Sequence, residues 1–175
     1  KSFYRKCPIC KSNEKVNQLF IKGGAIHDYC ADCAMIFTRN LLLPDELNKY
    51  YEEMPHLQNC FAESESDFYN KIYKLGIKII EDNLKNNKKE IGDANVIDIG
   101  CSSGIFLKCA SDYGFKKLYG IELNKDDREI AKSKGFRVFG DNIKEIGKIF
   151  DVITLWDVFE HIPDGETFLN MQKKY

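Results

Sequence analysis

Between Asp93 and Lys108 the chain reads DANVIDIGCSSGIFLK: a short apolar run, a turn framed by glycines, then a run with helical spacing. A strand that enters a helix through such a turn usually holds a nucleotide. The alternation continues downstream. Val96 to Ile99 predicts a strand, Ser103 to Tyr113 a helix burying Ile105, Phe106, Cys109 and Ala110, and Lys117 to Ile121 a second strand. Asn124 caps a helix that stops at Gly135, and Phe136 to Phe139 is a third strand. Asp141 opens a short helical turn, Phe150 to Leu155 is a fourth strand, and Asp164 caps a last helix. Strands separated by helices predict an α/β fold with a parallel sheet and right-handed crossovers, its ligand at the carboxyl ends of the strands.

The glycine spacing excludes both common phosphate loops. A dinucleotide fingerprint needs glycine at 102 and 105, where Ser102 and Ile105 stand, and no lysine follows at P-loop distance. Gly100 and Gly104 instead frame Cys101-Ser102-Ser103, just after Asp98. A carboxylate there repels a pyrophosphate and favours cationic groups, which points to an adenosine carrying an amine or a sulfonium. Glu122 ends the next strand, eighteen residues after Gly104, where a carboxylate accepts both ribose hydroxyls. Asp141 ends the third strand, placed to accept from an adenine amino group. Acidic residues at strand ends also cap helices, but three at successive strand ends favour adenosine.

At these residues the chain resembles the class I S-adenosylmethionine (SAM)-dependent methyltransferases. VIDIGCSSG is similar to their first motif, with Asp98, Gly100 and Gly104 matching and Ser102 in place of the usual middle glycine. GIELN resembles the ribose motif and GDN, Gly140 to Asn142, the adenine motif. The resemblance implies a Rossmann-like parallel sheet of the class I methyltransferase type. It implies a cofactor held by Asp98, Gly100, Cys101, Ser102, Gly104, Glu122, Leu123, Asp141, Asn142 and Trp156. Glu122 is then the diol acceptor, Asp141 the adenine acceptor and Asn142 a backbone contributor, while Trp156 packs under the adenine or in the core. The other reading of Cys101, shared with Cys60 and Cys109, is a packing or loop residue.

FDVITLWDVFEHIPD, Phe150 to Asp164, resembles the fourth-strand motif of small-molecule methyltransferases, including the quinone-biosynthesis O-methyltransferases. His161 follows that strand at the binding edge and titrates near neutrality, so it is the candidate base; the alternative is a loop hydrogen bond. Asp157, Glu160 and His161 stand at i, i+3 and i+4, so one helical turn would point them at a single divalent cation. The plain alternative is a solvated helix start. The family fold has seven strands. Four are legible here, so the domain is expected to be incomplete at its C-terminus, without the segment that supplies the acceptor pocket.

CPIC, Cys7 to Cys10, and CADC, Cys30 to Cys33, form two C-x-x-C pairs separated by 19 residues. Two such turns bring four thiolates to one tetrahedral ion, so Cys7, Cys10, Cys30 and Cys33 predict a closed, structural zinc site. A redox pair usually comes singly. Strand-like runs Gln18–Ile21 and Ala25–Tyr29, joined at Gly23-Gly24, predict the hairpin between the knuckles. Joined to a methyltransferase domain, such a module is similar to that of bacterial enzymes of sugar and natural-product pathways. The expected organisation is a zinc-ribbon-like module over 1–43, an acidic helical connector over 44–65 and a SAM-binding domain over 66–175. In the connector Leu43 to Pro55 reads as a short helix. Ser64 and Asp67 open a longer one with an apolar stripe of Phe68, Ile72, Leu75 and Ile79.

Charge narrows the partners. Net charge is -1, with seven basic and three acidic residues over 1–43 and one basic and seven acidic over 44–70. That disfavours nucleic acid and anionic membrane. Seven cysteines without a secretory or membrane-spanning segment point to a reducing compartment, the cytoplasm. The reading reached is O- or C-methylation of a sugar-like or hydroxylated small molecule. The alternatives are an RNA methyltransferase gripping RNA with the zinc module, a non-catalytic cofactor-binding or zinc scaffold, and aminopropyl transfer, for which no acidic polyamine pocket is evident. Oligomeric state leaves no mark on the sequence.

Overall fold

A computed structural model of the chain describes residues 2–53, 66–140 and 146–172. It divides into two compact units, Lys1–Tyr50 and Tyr51–Tyr175. The division falls inside helix α1 (Pro44–Glu53), and 54–65, most of the expected connector, lies outside the described residues. Among the described residues no helix is long and apolar enough to cross a membrane.

Apart from the start of α1, the regular structure of the first unit is β. β2 (Val16–Lys22) and β3 (Ala25–Cys30) form the expected antiparallel hairpin, turning at Gly23 and Gly24 with φ of 56° and 82°. Two consecutive positive φ values are what a tight two-residue hairpin demands, and glycine supplies them without strain. β4 (Ile36–Thr38) adds to β3, while β1 (Ser2–Tyr4) pairs with β5 (Asn40–Leu42). Those three strands are three residues each, too short for alternation to reveal them. The core is small: Cys7, Cys30 and Phe37, with Val16, Cys33 and Met35 against them.

The second unit carries a parallel sheet in the order β8-β7-β6-β9. The strands are β6 (Asn95–Ile99), β7 (Lys117–Ile121), β8 (Arg137–Phe139) and β9 (Val152–Thr154). The helices are α2 (Ser66–Asn86), α3 (Ile105–Tyr113), α4 (Lys125–Ser133) and α5 (Gly165–Gln172). β6 lies centrally, with β7 and β8 to one side and β9 to the other. The winding therefore reverses at β6, a switch point where ligands enter such sheets. Both faces of the sheet are covered. Val96 faces a cluster with Ile77, Phe106, Leu107 and Leu118, and the next residue, Ile97, faces the opposite one with Tyr119, Ile121 and Phe150. This two-sided burial explains why β6 reads as a continuous apolar run.

Two expectations about helix faces need correcting. On α2, Phe68, Leu75 and Ile79 are exposed, and the helix buries Ile77 and Leu84 with Tyr73 and Ile80 beside them. The helix carries two apolar stripes of the same period, and Gly76 marks the inner one: a Cβ there would lie 2.3 Å from the Trp156 ring. On α3, Leu107 is buried where Ile105 was expected. Asn124 caps α4 as predicted, its Oδ1 accepting from the N–H groups of Asp126 and Asp127. Asp164 does the same for Thr167 at α5, at 3.1 Å.

Candidate functional site

The glycine turn after β6 is held from beneath. The N–H groups of Gly100 and Cys101 both donate to the Ile121 carbonyl, at 2.8 and 3.0 Å, tying the turn to the end of β7. Gly100 has φ 74°, and a Cβ there would lie 2.4 Å from Val158 Cγ2, so both conformation and space call for glycine. Gly104, φ 81°, starts α3. Between them Ser102 adopts φ 47°, left-handed like a glycine, at a cost of about 1 kcal/mol or more for an L-residue. Cys101 takes its packing role: its buried sulfur lies where a Gly120 Cβ would come within 2.5 Å, and burial pushes its thiol up.

Two carboxylates stand at the ends of adjacent strands. Asp98, on β6, is 2% exposed and accepts a 2.7 Å hydrogen bond from Thr154 Oγ1 on β9. Burial pushes its carboxyl up to about 7, the Thr154 hydroxyl pulling down and the Glu122 charge pushing further up. Glu122, just past β7, is half-buried with both oxygens engaged. Oε2 accepts from Ser102 N–H and Oε1 from Asn124 N–H, each at 2.8 Å. Burial raises its pKa most; the amides of Asn124 and Ser102 oppose that and the Asp127 charge adds to it. Arg128 donates to the carbonyls of Glu122 and Leu123 at 2.6 and 3.1 Å, fixing the backbone there. Asp141 and Asn142 lie outside the described residues.

Beyond β9 the expectations part from the structure. Trp156 takes the core alternative, packing against Tyr73 and Phe106 at ring separations of 5.1 and 5.3 Å. Asp157 has φ 52°, and Phe159–His161 is a 3-10 turn. The predicted α-helical turn is broken at its first residue, so Asp157, Glu160 and His161 do not converge on a cation site. Among the described residues only the four cysteines place three or more His, Cys, Asp or Glu ligand atoms together. His161 is exposed, with the Tyr51 ring edge-on at 6.2 Å.

Sequence reasoning missed three groups. Thr154 partners Asp98, and its signal is a hydroxyl ending an apolar strand. Tyr73, on α2, has its phenol pushed up by burial first and then by the charges of Asp98 and Asp157; no local pattern marks it. Asp127, 7% exposed, receives the Ser102 hydroxyl at 3.3 Å; acids in a first helical turn are ordinary, so nothing singled it out.

In the first unit the two C-x-x-C turns have one geometry. Lys11 N–H donates back to the Cys7 carbonyl at 3.0 Å and Ala34 N–H to that of Cys30 at 2.8 Å. Lys11 and Ala34, each following a second cysteine, have φ of 62° and 61°. The four sulfurs lie within 4.8 Å of one another. Cys7–Cys33 and Cys10–Cys30 stand 3.5 Å apart. That is far beyond the ~2.05 Å of a disulfide and close to the roughly 3.8 Å expected around a tetrahedral zinc with ~2.3 Å bonds. Burial pushes the Cys7 thiol up, but the N–H groups of Cys10 and Ile9 and the neighbouring thiols outweigh it and hold Cys7 at about 7. The donor set fits a metal ion that prefers thiolate.

Comparison with known proteins bears on the fold and family of the second unit. No curated protein sequence matches the chain. The plantazolicin methyltransferase BpumL, solved with SAH, superposes with a TM-score of 0.58 at 18% identity, over 74% of this chain and 52% of that one. The magnesium protoporphyrin IX methyltransferase ChlM from Synechocystis PCC 6803, solved with bound SAM, gives 0.58 at 13% identity, over 77% and 73%. At such identities the likeness is one of fold, and the chain spans about half the length of BpumL. The family described as "Methyltransferase domain" matches residues 69–175, from α2 to the last residue. The chain belongs to that methyltransferase family.

Proposed function

We propose that the chain binds SAM at the carboxyl ends of β6 and β7 and takes part in methyl transfer to a small molecule. The observation that carries this reading is the pair of carboxylates, Asp98 and Glu122, framing a glycine turn at the switch point of a parallel sheet. In this reading Glu122 accepts the ribose hydroxyls. Asp98 faces the cationic end of the ligand, and the Gly100–Gly104 turn admits its methionine portion. Asp141 and Asn142 receive the adenine, with Leu123 beside it. The cofactor supplies a methyl group on a sulfonium, and the chain's own work is to align the acceptor and exclude water. To His161, exposed beyond β9, we assign the role of taking a proton from an acceptor hydroxyl, since an imidazole titrates near neutrality. A hydroxylated or sugar-like metabolite is the acceptor class we favour, from the sequence resemblance and the four-cysteine module. In that module Cys7, Cys10, Cys30 and Cys33 hold a structural zinc.

Calorimetry of the chain with SAM and SAH tests the reading. Glu122→Ala is expected to weaken both at least about tenfold, the cost of losing hydrogen bonds to a charged acceptor. Binding of ATP or NAD in place of SAM would overturn it.

A further inference from the structure

Glu122 belongs to a closed circuit of hydrogen bonds. Its Oε2 accepts from Ser102 N–H at 2.8 Å, and Ser102 Oγ donates to Asp127 Oδ2 at 3.3 Å. Asp127 N–H donates to Asn124 Oδ1 at 3.1 Å, and Asn124 N–H donates back to Glu122 Oε1 at 2.8 Å. Four residues from two loops and one helix start thus lock one another. The circuit gives a reason for serine where a glycine would fit the backbone better. At φ 47° glycine is unstrained, and the polar group serine adds is the hydroxyl, which reaches Asp127. Asp127 is itself 7% exposed in the first turn of α4, where the positive end of the helix dipole steadies a carboxylate.

We propose that Ser102 and Asp127 are positioning residues for Glu122: they fix its carboxylate so that the lone pairs left over by the two backbone amides face the ribose diol. The proposal rests on the SAM-site reading above. Two carboxylates side by side repel, and Asp127 adds to the upward push on Glu122. Ser102 links the pair, its backbone N–H donating to Glu122 and its hydroxyl to Asp127, and so holds them adjacent. Without that anchor the Ser102 amide that holds Glu122 Oε2 is itself held less firmly, and the carboxylate gains freedom with it.

The test uses the full chain with two probes, SAH and its 2′,3′-dideoxyribose analogue. Wild type is expected to prefer SAH. Asp127→Leu and Ser102→Gly are each expected to weaken SAH about tenfold, the value of one hydrogen bond around a charged group, and to leave the analogue within about twofold. Combined, the two changes should cost no more than either alone, since both cut one link. Asp127→Asn keeps an acceptor for the hydroxyl and should stay close to wild type. Ser102→Gly relieves the positive φ, so it keeps the test valid if Asp127→Leu does not fold. Equal weakening of both probes, or an unchanged SAH preference in Ser102→Gly, overturns the proposal alone. A wild type that binds the two probes alike, or neither, overturns the Glu122 reading and this proposal with it.

Discussion

Asp98 sits where a charge is costly and a ligand could make it favourable. The residue is 2% exposed, with the Thr154 hydroxyl as its hydrogen-bond partner and Glu122 as a charged neighbour. Its carboxyl is raised from 3.8 to about 7, chiefly by burial. The sign follows directly. Between those values the unfolded chain has released a proton that the folded chain still holds, so stability falls as pH rises through the window and levels off above it. At ~1.4 kcal/mol per pH unit the loss reaches about 4 kcal/mol. Asp98→Asn keeps an acceptor for Thr154 and carries no charge. Urea unfolding from pH 4 to 8 should therefore show wild type losing stability that the variant retains; parallel profiles would refute the raised value. The sequence exposed Asp98 and Glu122 because strand ends are fixed by alternation and turn chemistry. It concealed Thr154, Tyr73 and Asp127 because their roles come from neighbours distant in the chain, which no local period records.

Helix α2 shows what period alone leaves open. Phe68, Leu75 and Ile79 share one stripe, while Tyr73, Ile77, Ile80 and Leu84 share another. Spacing ranks them alike; the packing partners decide. Ile77 is 1% exposed and Leu75 is 65% exposed. Ile77→Ala should therefore cost about 2–5 kcal/mol, the range for truncating a buried aliphatic, and Leu75→Ala no more than about 0.5 kcal/mol. Equal losses in denaturant titrations would mean that the helix presents a different face. Gly76 was the readable clue, since a glycine inside a helix often marks close approach by another group, here the Trp156 ring. The turn after β9 fails differently. Asp157 takes a left-handed backbone, so the i, i+3, i+4 arithmetic that would gather Asp157, Glu160 and His161 never applies. By contrast β7 falls at the expected residues, because apolar side chains and clear turn signals bound it on both sides.

At the scale of the molecule the two units are stabilised by different means. The second has two apolar clusters packed on opposite faces of a parallel sheet. Among the described residues the apolar core of the first is Cys7, Cys30 and Phe37, and two of those three are candidate metal ligands. So small a core contributes little by apolar burial; on the zinc assignment proposed above, a cross-link through the four sulfurs would supply much of what holds its two knuckles together. Both knuckles were legible because each is a local turn written in four residues, and the hairpin between them because Gly23-Gly24 permits few alternatives. The strand order of the second unit was not legible, since it depends on pairings among segments tens of residues apart. The consequence is a selective response to metal removal. Elemental analysis should find one zinc per chain. A chelator strong enough to strip it should abolish the hydrogen-exchange protection of β2 and β3 while that of β6 and β7 persists. SAH affinity should then stay within about twofold, since every residue assigned to the ligand lies on the second unit and binding energy follows the contacts made there. Full protection of β2 and β3 in the metal-free chain would show that the cysteines pack as ordinary apolar groups, and the zinc assignment would fall.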